Sequence, residues 1–156
     1  MIFDESSFMD GEVDGESSTQ YKVLPVENNP YTAVVKQGSL KPRFNVQGKK
    51  DPTKFYNWLD MQFTLILPPA VKDVMKRDDF DQRYSVGLEL TPSGALDLSD
   101  GVNVDLGRLR KAVGQNNPGE KWAPRMLEGK MLKVYIKHRK EGENTYNEVD
   151  KLEAIQ

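Results

Sequence analysis

The sequence contains no cysteine and only one histidine, His138. The absence of cysteine excludes disulfide scaffolds, thiolate zinc sites and thiol catalysis. A single histidine cannot build a multi-histidine metal site, and any Ser-His-Asp triad would have to use it. Phosphate-binding loops of the G-x-x-x-x-G-K-[ST] and G-x-G-x-x-G kinds are also missing. We therefore expect a protein that is not an enzyme and that uses no cofactor and no metal.

Long apolar runs are absent as well. None approaches the ~20 residues that a helix needs to span a bilayer. The first residues, MIFDESSFMD, lack the basic start and apolar stretch of a signal peptide. The length of 156 residues corresponds to one domain. These features predict a soluble cytoplasmic protein with no membrane partner.

The net charge of −2 hides an asymmetry along the chain. Residues 1–20 carry six acidic side chains and no lysine or arginine, which leaves residues 21–156 with 22 basic and 18 acidic ones. We expect 1–20 to be a disordered acidic tail and 21–156 to be one domain. A basic body indicates a polyanion partner, with the tail as its competitor or as a recruiter of other proteins. A leader that only solubilises the chain is the alternative.

Alternation of apolar and polar residues predicts most of the secondary structure. Five strands are expected near residues 31–37, 58–67, 83–90, 130–140 and 145–154. The basic stretch 36–54 contains Pro42, Gly48 and Pro52, so it is interpreted as a strand end and a loop. A short helix is expected at 70–77. The acidic residues Asp73, Asp78, Asp79 and Asp81 are interpreted as part of a solvated loop rather than a Mg²⁺ site.

The clearest helix is expected over residues 104–113. Asn103 is a suitable N-cap, and Gly114 suits the position after the C-cap. Leu106, Leu109 and Val113 share one face. Gly107 weakens the helix, so a role in close packing is expected there.

The order of strand, strand, strand, helix, strand, strand is that of an OB-fold. We therefore expect an all-β protein with one helix, folded as a five-stranded OB-fold-like Greek-key barrel whose helix lies between strands three and four. A generic α+β sandwich is the alternative.

The strand at 130–140 carries the most informative pattern. Leu132, Val134, Ile136 and His138 point one way in an extended chain, and basic or aromatic residues point the other way. The outward set is Lys133, Tyr135, Lys137 and Arg139. Cations along a backbone and a ring for base stacking are what single-stranded nucleic acid requires. A solvated strand surface protected by lysines is the competing interpretation. His138 is interpreted as structural.

A second basic cluster contains or borders several aromatic residues. Its candidate binding residues are Arg43, Lys49, Lys50, Lys54 and Trp58, and the neighbouring aromatics are Phe44, Phe55 and Tyr56. In an OB-fold this region would form the first hairpin, and residues 141–144 would form the loop between strands four and five. Both loops flank the usual oligonucleotide surface, so we expect the two basic clusters to converge. Trp58 is a candidate base platform, whereas Trp122 is interpreted as a lid over the core.

Two segments carry a family resemblance. They are LDLSDGVNVDLGRLRKAVGQN at 96–116, and MLEGKMLKV at 126–134 together with YNEV at 146–149. The chain resembles, over residues 56–153, bacteriophage OB-fold single-stranded-DNA-binding proteins that serve replication and recombination. Bacterial single-strand-binding proteins carry their acidic docking tail at the C-terminus, whereas the acidic segment is N-terminal here.

The resemblance implies non-sequence-specific binding of single-stranded DNA, with RNA as another ligand, in the cytoplasm of an infected bacterium. It also implies phage or host replication and recombination proteins as partners of the acidic tail, and it leaves homo-oligomerisation open. The alternative function is a structural or interaction module, either a virion component or an adaptor with a basic surface.

Overall fold

The computed structural model describes residues 3–156, and positions 1 and 2 of the expected tail lie outside the described residues. The α-helices are α1 (Glu5–Asp10), α2 (Pro69–Met75) and α3 (Val104–Ala112). The strands are β1 (Tyr31–Val35), β2 (Lys41–Gln47), β3 (Phe55–Ile66), β4 (Asp79–Leu88), β5 (Met131–Glu141) and β6 (Asn144–Glu153). Within residues 3–156, no helix is long and apolar enough to cross a membrane.

The six strands form one antiparallel sheet around β3. One edge of β3 pairs with β4, and its other edge pairs with β2 near its start and with β1 near its end. β1 also pairs with β5, and β5 pairs with β6. Over residues 3–156 no ladder joins β4 to β6, so the sheet is not closed. The expectation of a mostly β protein is confirmed.

The core lies on the side of this sheet that α3 covers. The inward residues of β1, β3 and β5 alternate with polar ones as the sequence predicts, and each is nearly inaccessible to water. They are Tyr31, Ala33, Val35, Leu59, Met61, Phe63, Leu65, Leu132, Val134 and Ile136. Leu106 and Leu109 of α3 are buried against them. Full burial of one such leucine contributes about 1.5–3 kcal/mol to stability.

The number of strands was predicted wrongly, because β2 lies in the stretch expected to be a strand end and a loop. Pro42 cannot donate to a ladder, but within residues 3–156 β2 pairs with β3 alone, and an edge strand of this kind tolerates a proline. A bulge follows between Arg43 and Val46, and Asn45 takes a positive φ of 54° there. The Asn45 backbone N–H is satisfied by the Asn57 side chain at 3.0 Å. The hairpin of β2 and β3 is therefore ordered despite its proline.

The expected acidic loop is also partly wrong, since β4 already begins at Asp79. Asp81 is accommodated in the strand because its carboxylate accepts from Lys36 at 2.6 Å and from the Thr64 hydroxyl at 2.6 Å. The hydrogen bond from Lys36 holds the pKa of Asp81 below its usual value. This carboxylate therefore links β4 to β3 and to the end of β1.

Helix α3 agrees with the prediction in its bounds, but two details differ. Asn103 occupies the N-cap position, as predicted, but its side chain makes no capping hydrogen bond, because it donates to the carbonyls of Glu89 and Asp97 at 2.9 and 3.0 Å. A Cβ added at Gly107 would meet no atom within 4 Å, so the close-packing interpretation of this glycine is wrong. Gly114, with a φ of 75°, suits the position after the C-cap.

The tail contains a helix that the sequence did not predict. α1 is six residues long and begins where the Asp4 carboxylate accepts from the Ser6 backbone N–H at 3.2 Å and from the Ser7 hydroxyl at 2.8 Å. Every residue from 3 to 20 is exposed. The tail therefore has local structure without contributing to the core.

Candidate nucleic-acid interface

The outward side of β5 carries the residues that the alternation predicts, and we call Lys133, Tyr135, Lys137 and Arg139 the β5 strip. Leu132, Val134 and Ile136 are buried on the other side. The first two members of the strip are half-buried, and the last two are exposed. The predicted register of β5 is therefore confirmed.

Acidic residues of the neighbouring strand and of the β5 end face this strip. Lys133 lies directly opposite Glu153, and Lys137 lies opposite Glu148. Arg139 contacts the carboxylate of Glu141 at 2.5 Å and that of Glu148 at 3.9 Å. Residues directly opposite in an antiparallel pair have Cβ atoms about 5 Å apart, close enough for opposite charges to offset each other. Within residues 3–156 Lys133 and Lys137 form no ion pair, so the facing acids lower the net positive charge of the strip, and of its cations only Arg139 is paired with a carboxylate.

Tyr135 is partly occupied as a stacking surface. The ammonium of Lys151 lies 4.3 Å from the centroid of its ring, in a cation–π contact. Its hydroxyl donates to Glu153 at 3.1 Å, and this hydrogen bond raises the pKa of the phenol. A base stacking on that side of the ring would have to displace Lys151.

A second surface is the hairpin of β2 and β3, residues 41–58, which we call the arm. Its loop, 48–54, carries Lys49, Lys50 and Lys54, all exposed and without an ion pair to any residue in 3–156. The acid of this loop, Asp51, accepts from the backbone N–H and hydroxyl of Thr53 at 3.0 and 2.5 Å. The hydroxyl hydrogen bond lowers the pKa of Asp51. The loop therefore carries three cations that are free to meet phosphates.

The shape of this loop depends on Gly48. Its backbone N–H donates to the carbonyl of Lys54 at 2.8 Å and closes the turn. A Cβ at this position would lie 2.6 Å from the carbonyl oxygen of Asp51 and 2.9 Å from the Tyr56 ring. Only glycine fits without a shift of the backbone, so the lysines are held on a defined turn.

Trp58 lies on the outer surface of the arm, as the alternation predicts. Its ring lies near Gly87 of the neighbouring strand, where an added Cβ would meet it at 3.8 Å. The guanidinium of Arg43 lies 6.0 Å from the ring centroid and is fixed by two hydrogen bonds to Asp60, of 2.5 and 3.1 Å. The first of these bonds contributes most to lowering the pKa of Asp60. Asp60 therefore holds the Arg43 guanidinium beside the indole, and the Asp60 carboxylate offsets most of the charge of this guanidinium.

Three aromatic residues of the arm were noticed in the sequence but not assigned to the site. Phe44 is 57% exposed, Phe55 is 60% exposed and Tyr56 is 43% exposed. The rings of Tyr56 and Trp58 lie 6.4 Å apart between centroids, at 45° to each other. Their position in the sequence could have indicated this exposure, because Phe55 and Tyr56 precede Leu59, where the buried alternation of β3 begins. The arm therefore carries three exposed aromatic rings, and Tyr56 lies beside the half-buried Trp58.

The structure does not bring the two predicted clusters together. Ala33 of β1 pairs with Leu65 of β3 and with Leu132 of β5, which gives a common reference line. β3 and β5 run in the same direction, because both are antiparallel to β1. Trp58 lies seven residues before Leu65 on β3, and Tyr135 lies three residues after Leu132 on β5, so they lie on opposite sides of this line. Ten residues correspond to roughly 30 Å of strand. The arm and the β5 strip therefore lie towards opposite ends of the sheet.

Trp122 and His138 have structural contacts. Trp122 is partly buried against the core, its indole N–H donates to Gln115 at 2.8 Å, and Arg110 lies 4.4 Å from its ring centroid. His138 Nε2 lies 2.7 Å from the carbonyl oxygen of Leu24. In the described part of the chain no three His, Asp or Glu side chains are grouped so that they could hold a metal ion.

Comparisons with known proteins give no assignment. No protein-family model matches the sequence, and no curated protein matches it significantly.

Proposed function

We propose that this protein binds single-stranded DNA without strong sequence preference and that the arm is its principal contact surface. The observation that carries the proposal is the combination of three loop lysines, which make no ion pair in the described part of the chain, with Tyr56 and Trp58 on the same hairpin. Cations that follow the phosphates, together with rings that stack on bases, are the two components of sequence-independent single-strand binding.

The proposal includes an OB-type barrel, which the connectivity supports. β1 and β2 both pair with β3, so they can be counted as one strand interrupted at residues 36–40. This leaves five strands, with α3 between the third and the fourth. The successive antiparallel pairings make β4 and β6 run in the same direction, and the Gln82 side chain reaches the Asn147 carbonyl across the gap at 3.4 Å. A modest closure there would complete the barrel.

The β5 strip has a secondary role in this proposal. The carboxylates of β6 and of Glu141 lower the net positive charge that its lysines and Arg139 offer to phosphate, and Arg139 must also leave its contact with Glu141. Tyr135 can stack on a base only on the side that Lys151 leaves open. We therefore assign these residues to an extension of the binding track.

The acidic tail acts as a competitor in this proposal. Its six carboxylates are tethered to a basic body, so they compete with DNA at high effective concentration. Deletion of residues 1–20 should raise the affinity for single-stranded DNA at low salt, and the gain should shrink as salt screens the charges. Unchanged or weaker binding would favour a tail that recruits replication or recombination proteins, or one that only solubilises the chain.

The resemblance to phage single-strand-binding proteins supports a role in protecting exposed strands during replication or recombination. The test is fluorescence anisotropy with labelled single-stranded DNA, duplex DNA and single-stranded RNA over a salt series. We expect tightest binding to a single strand and a steep loss of affinity with salt. Absence of binding to single-stranded DNA at low salt would overturn the proposal and favour an adaptor or virion component.

A further inference from the structure

An open cleft lies beside the aromatic rings of the arm. It has a volume of about 460 Å³ and is bordered by residues 55–58 of β3, residues 87–89 at the end of β4, Asp97 and the segment 101–105 that leads into α3. We call it the Trp58 cleft. Its volume falls within the roughly 300–1,000 Å³ that is usual for sites that bind small organic groups. The cleft is therefore large enough to receive one nucleobase.

One wall of the cleft is aromatic. Trp58 pairs with Gly87 across the ladder of β3 and β4, so no side chain of that partner lies over the indole. Tyr56 lies two residues earlier on the same side of β3, and its ring centroid is 6.4 Å from that of Trp58. A base that enters the cleft therefore meets the aromatic surface on which bases stack.

The opposite wall is held in place by one asparagine. The Asn103 side chain donates to the carbonyls of Glu89 and Asp97 at 2.9 and 3.0 Å, and it accepts from the Glu89 backbone N–H at 2.7 Å. These hydrogen bonds tie the segment before α3 to the end of β4. The two walls therefore have a fixed relation to each other before any ligand binds.

The charge of the cleft is opposite to that of the loop beside it. Among the described residues, the lining includes Glu89, Asp97 and Asp105 but no lysine or arginine. Lys54, one of the loop cations, immediately precedes Phe55 of the lining. A cleft lined by charges of one sign concentrates their field, so this one repels phosphate and favours groups that donate hydrogen bonds. A nucleotide bound here has its phosphate at the lysine loop and its base in the cleft.

Glu89 is the acid best placed to contact such a base. It follows Gly87 by two residues, so the alternation of an extended chain puts it on the same side as Gly87 and Trp58. Its side chain is exposed and makes no ion pair with any residue in 3–156. The other two acids already have partners, since Asp105 lies 3.7 Å from Arg108 and Asp97 accepts from the Ser99 backbone and hydroxyl.

We propose that the Trp58 cleft prefers bases with an exocyclic amino group, which donates to the Glu89 carboxylate. This inference rests on the proposed binding of single-stranded DNA and adds a base preference to it. Cytosine presents an amino donor where thymine and uracil present a carbonyl oxygen, and that oxygen is repelled by a carboxylate. One net hydrogen bond corresponds to roughly fivefold in affinity, so the preference is modest.

The test compares deoxycytidine and deoxyuridine strands of about 16 nucleotides, the upper end of the length that one OB domain covers. The two bases have rings of the same size, so stacking is matched and the hydrogen-bonding edge differs. Anisotropy at one salt concentration, above neutral pH where cytosine is uncharged, should show about fivefold tighter binding of the deoxycytidine strand. Glu89→Gln should bring the ratio close to one, because an amide both donates and accepts. Asp73→Asn is the matched control, because it removes one exposed acid outside the cleft and should leave the ratio unchanged.

The indole N–H resonances of the two tryptophans locate the bound base. Binding of the deoxycytidine strand should shift the Trp58 resonance and leave that of Trp122 in place. Equal binding of the two strands, a ratio that persists in Glu89→Gln, or an unshifted Trp58 resonance would overturn the base preference without affecting the proposed function. Absence of binding to both strands would overturn the proposed function and this inference with it.

Discussion

Replacement of Lys49, Lys50 and Lys54 by alanine together tests the assignment of the arm. Each cation that contacts a phosphate of a single strand contributes roughly −0.7 to the slope of log affinity against log salt. The three loop lysines have no acidic partner within residues 3–156, so all three contributions should be lost. The slope should therefore flatten by about 2. Between 50 and 200 mM salt, the wild type should then lose roughly 16-fold more affinity than the variant.

The measurement is anisotropy of a labelled oligothymidine at four or more salt concentrations. Circular dichroism must first show that the variant is folded, which we expect because the three side chains are exposed and outside the core. A variant with the wild-type slope would show that the loop does not contact phosphates, and it would refute the assignment of the arm.

The matched control removes cations from the β5 strip together with the carboxylates that face them. The variant is Lys133→Ala/Glu153→Ala/Lys137→Ala/Glu148→Ala, which leaves the net charge unchanged. Because these lysines lie opposite carboxylates, we expect a slope close to that of the wild type. A slope that flattens as much as in the loop variant would mean that the strip contacts phosphates despite its acids. The inference from cross-strand neutralisation would then be wrong.

Three further predictions concern single positions. Trp58→Ala should cost about 1–3 kcal/mol of binding free energy in the same assay, because it removes the ring on which a base stacks. The salt slope should change little, because no charge is removed. Trp58→Phe should retain most of the affinity. Gly107→Ala should raise the free energy of unfolding in urea by up to about 1 kcal/mol, because an added Cβ has open space in a helix; a loss of stability would contradict this. The Asp60 pKa is lowered chiefly by the Arg43 hydrogen bond. The Asp60 carboxylate should therefore stabilise the fold fully at pH values above its unfolded pKa, which is near 4. This stabilisation should be lost progressively as pH falls through the folded pKa. Asp60→Asn should make the acid limb of the stability curve shallower, and an unchanged limb would show that the pair contributes nothing.

Much of the sheet could be predicted from the sequence because burial on one side imposes a period of two. Leu59, Met61, Phe63 and Leu65 are buried in the order that their spacing predicts. The bounds of α3 were also predictable, since leucine spacing and Gly114 mark them locally. In each case the deciding information lies within a few neighbouring residues.

β2 could not be predicted in the same way. It contains Pro42, and its residues are mostly exposed, so it has neither an alternating pattern nor favourable propensity. Its order comes from its partner β3, whose outer residues Trp58 and Asp60 hold Arg43. Strand formation that depends on a partner 17 positions away is not visible in a local pattern.

The charge of the β5 strip shows the same limit at the level of the site. The spacing of Lys133, Lys137 and Arg139 gives a basic surface when β5 is considered alone. The register with β6, including a bulge after Tyr135, decides that Glu148 and Glu153 face these cations. That register depends on the turn and on packing, so the sequence pattern alone could not reveal the neutralisation.

These contacts lead to a physical reason for placing the binding surface on a loop. Like charges directly opposite each other destabilise an antiparallel pair, so lysines on a paired strand are best tolerated when acids face them. The same acids reduce what those lysines can offer to a polyanion. A hairpin loop has no strand opposite it, and Lys49, Lys50 and Lys54 can remain uncompensated without weakening a ladder. Positive charge that is available to DNA is therefore expected at the tip of the arm, close to the exposed ring of Tyr56 and the half-buried ring of Trp58, rather than along β5.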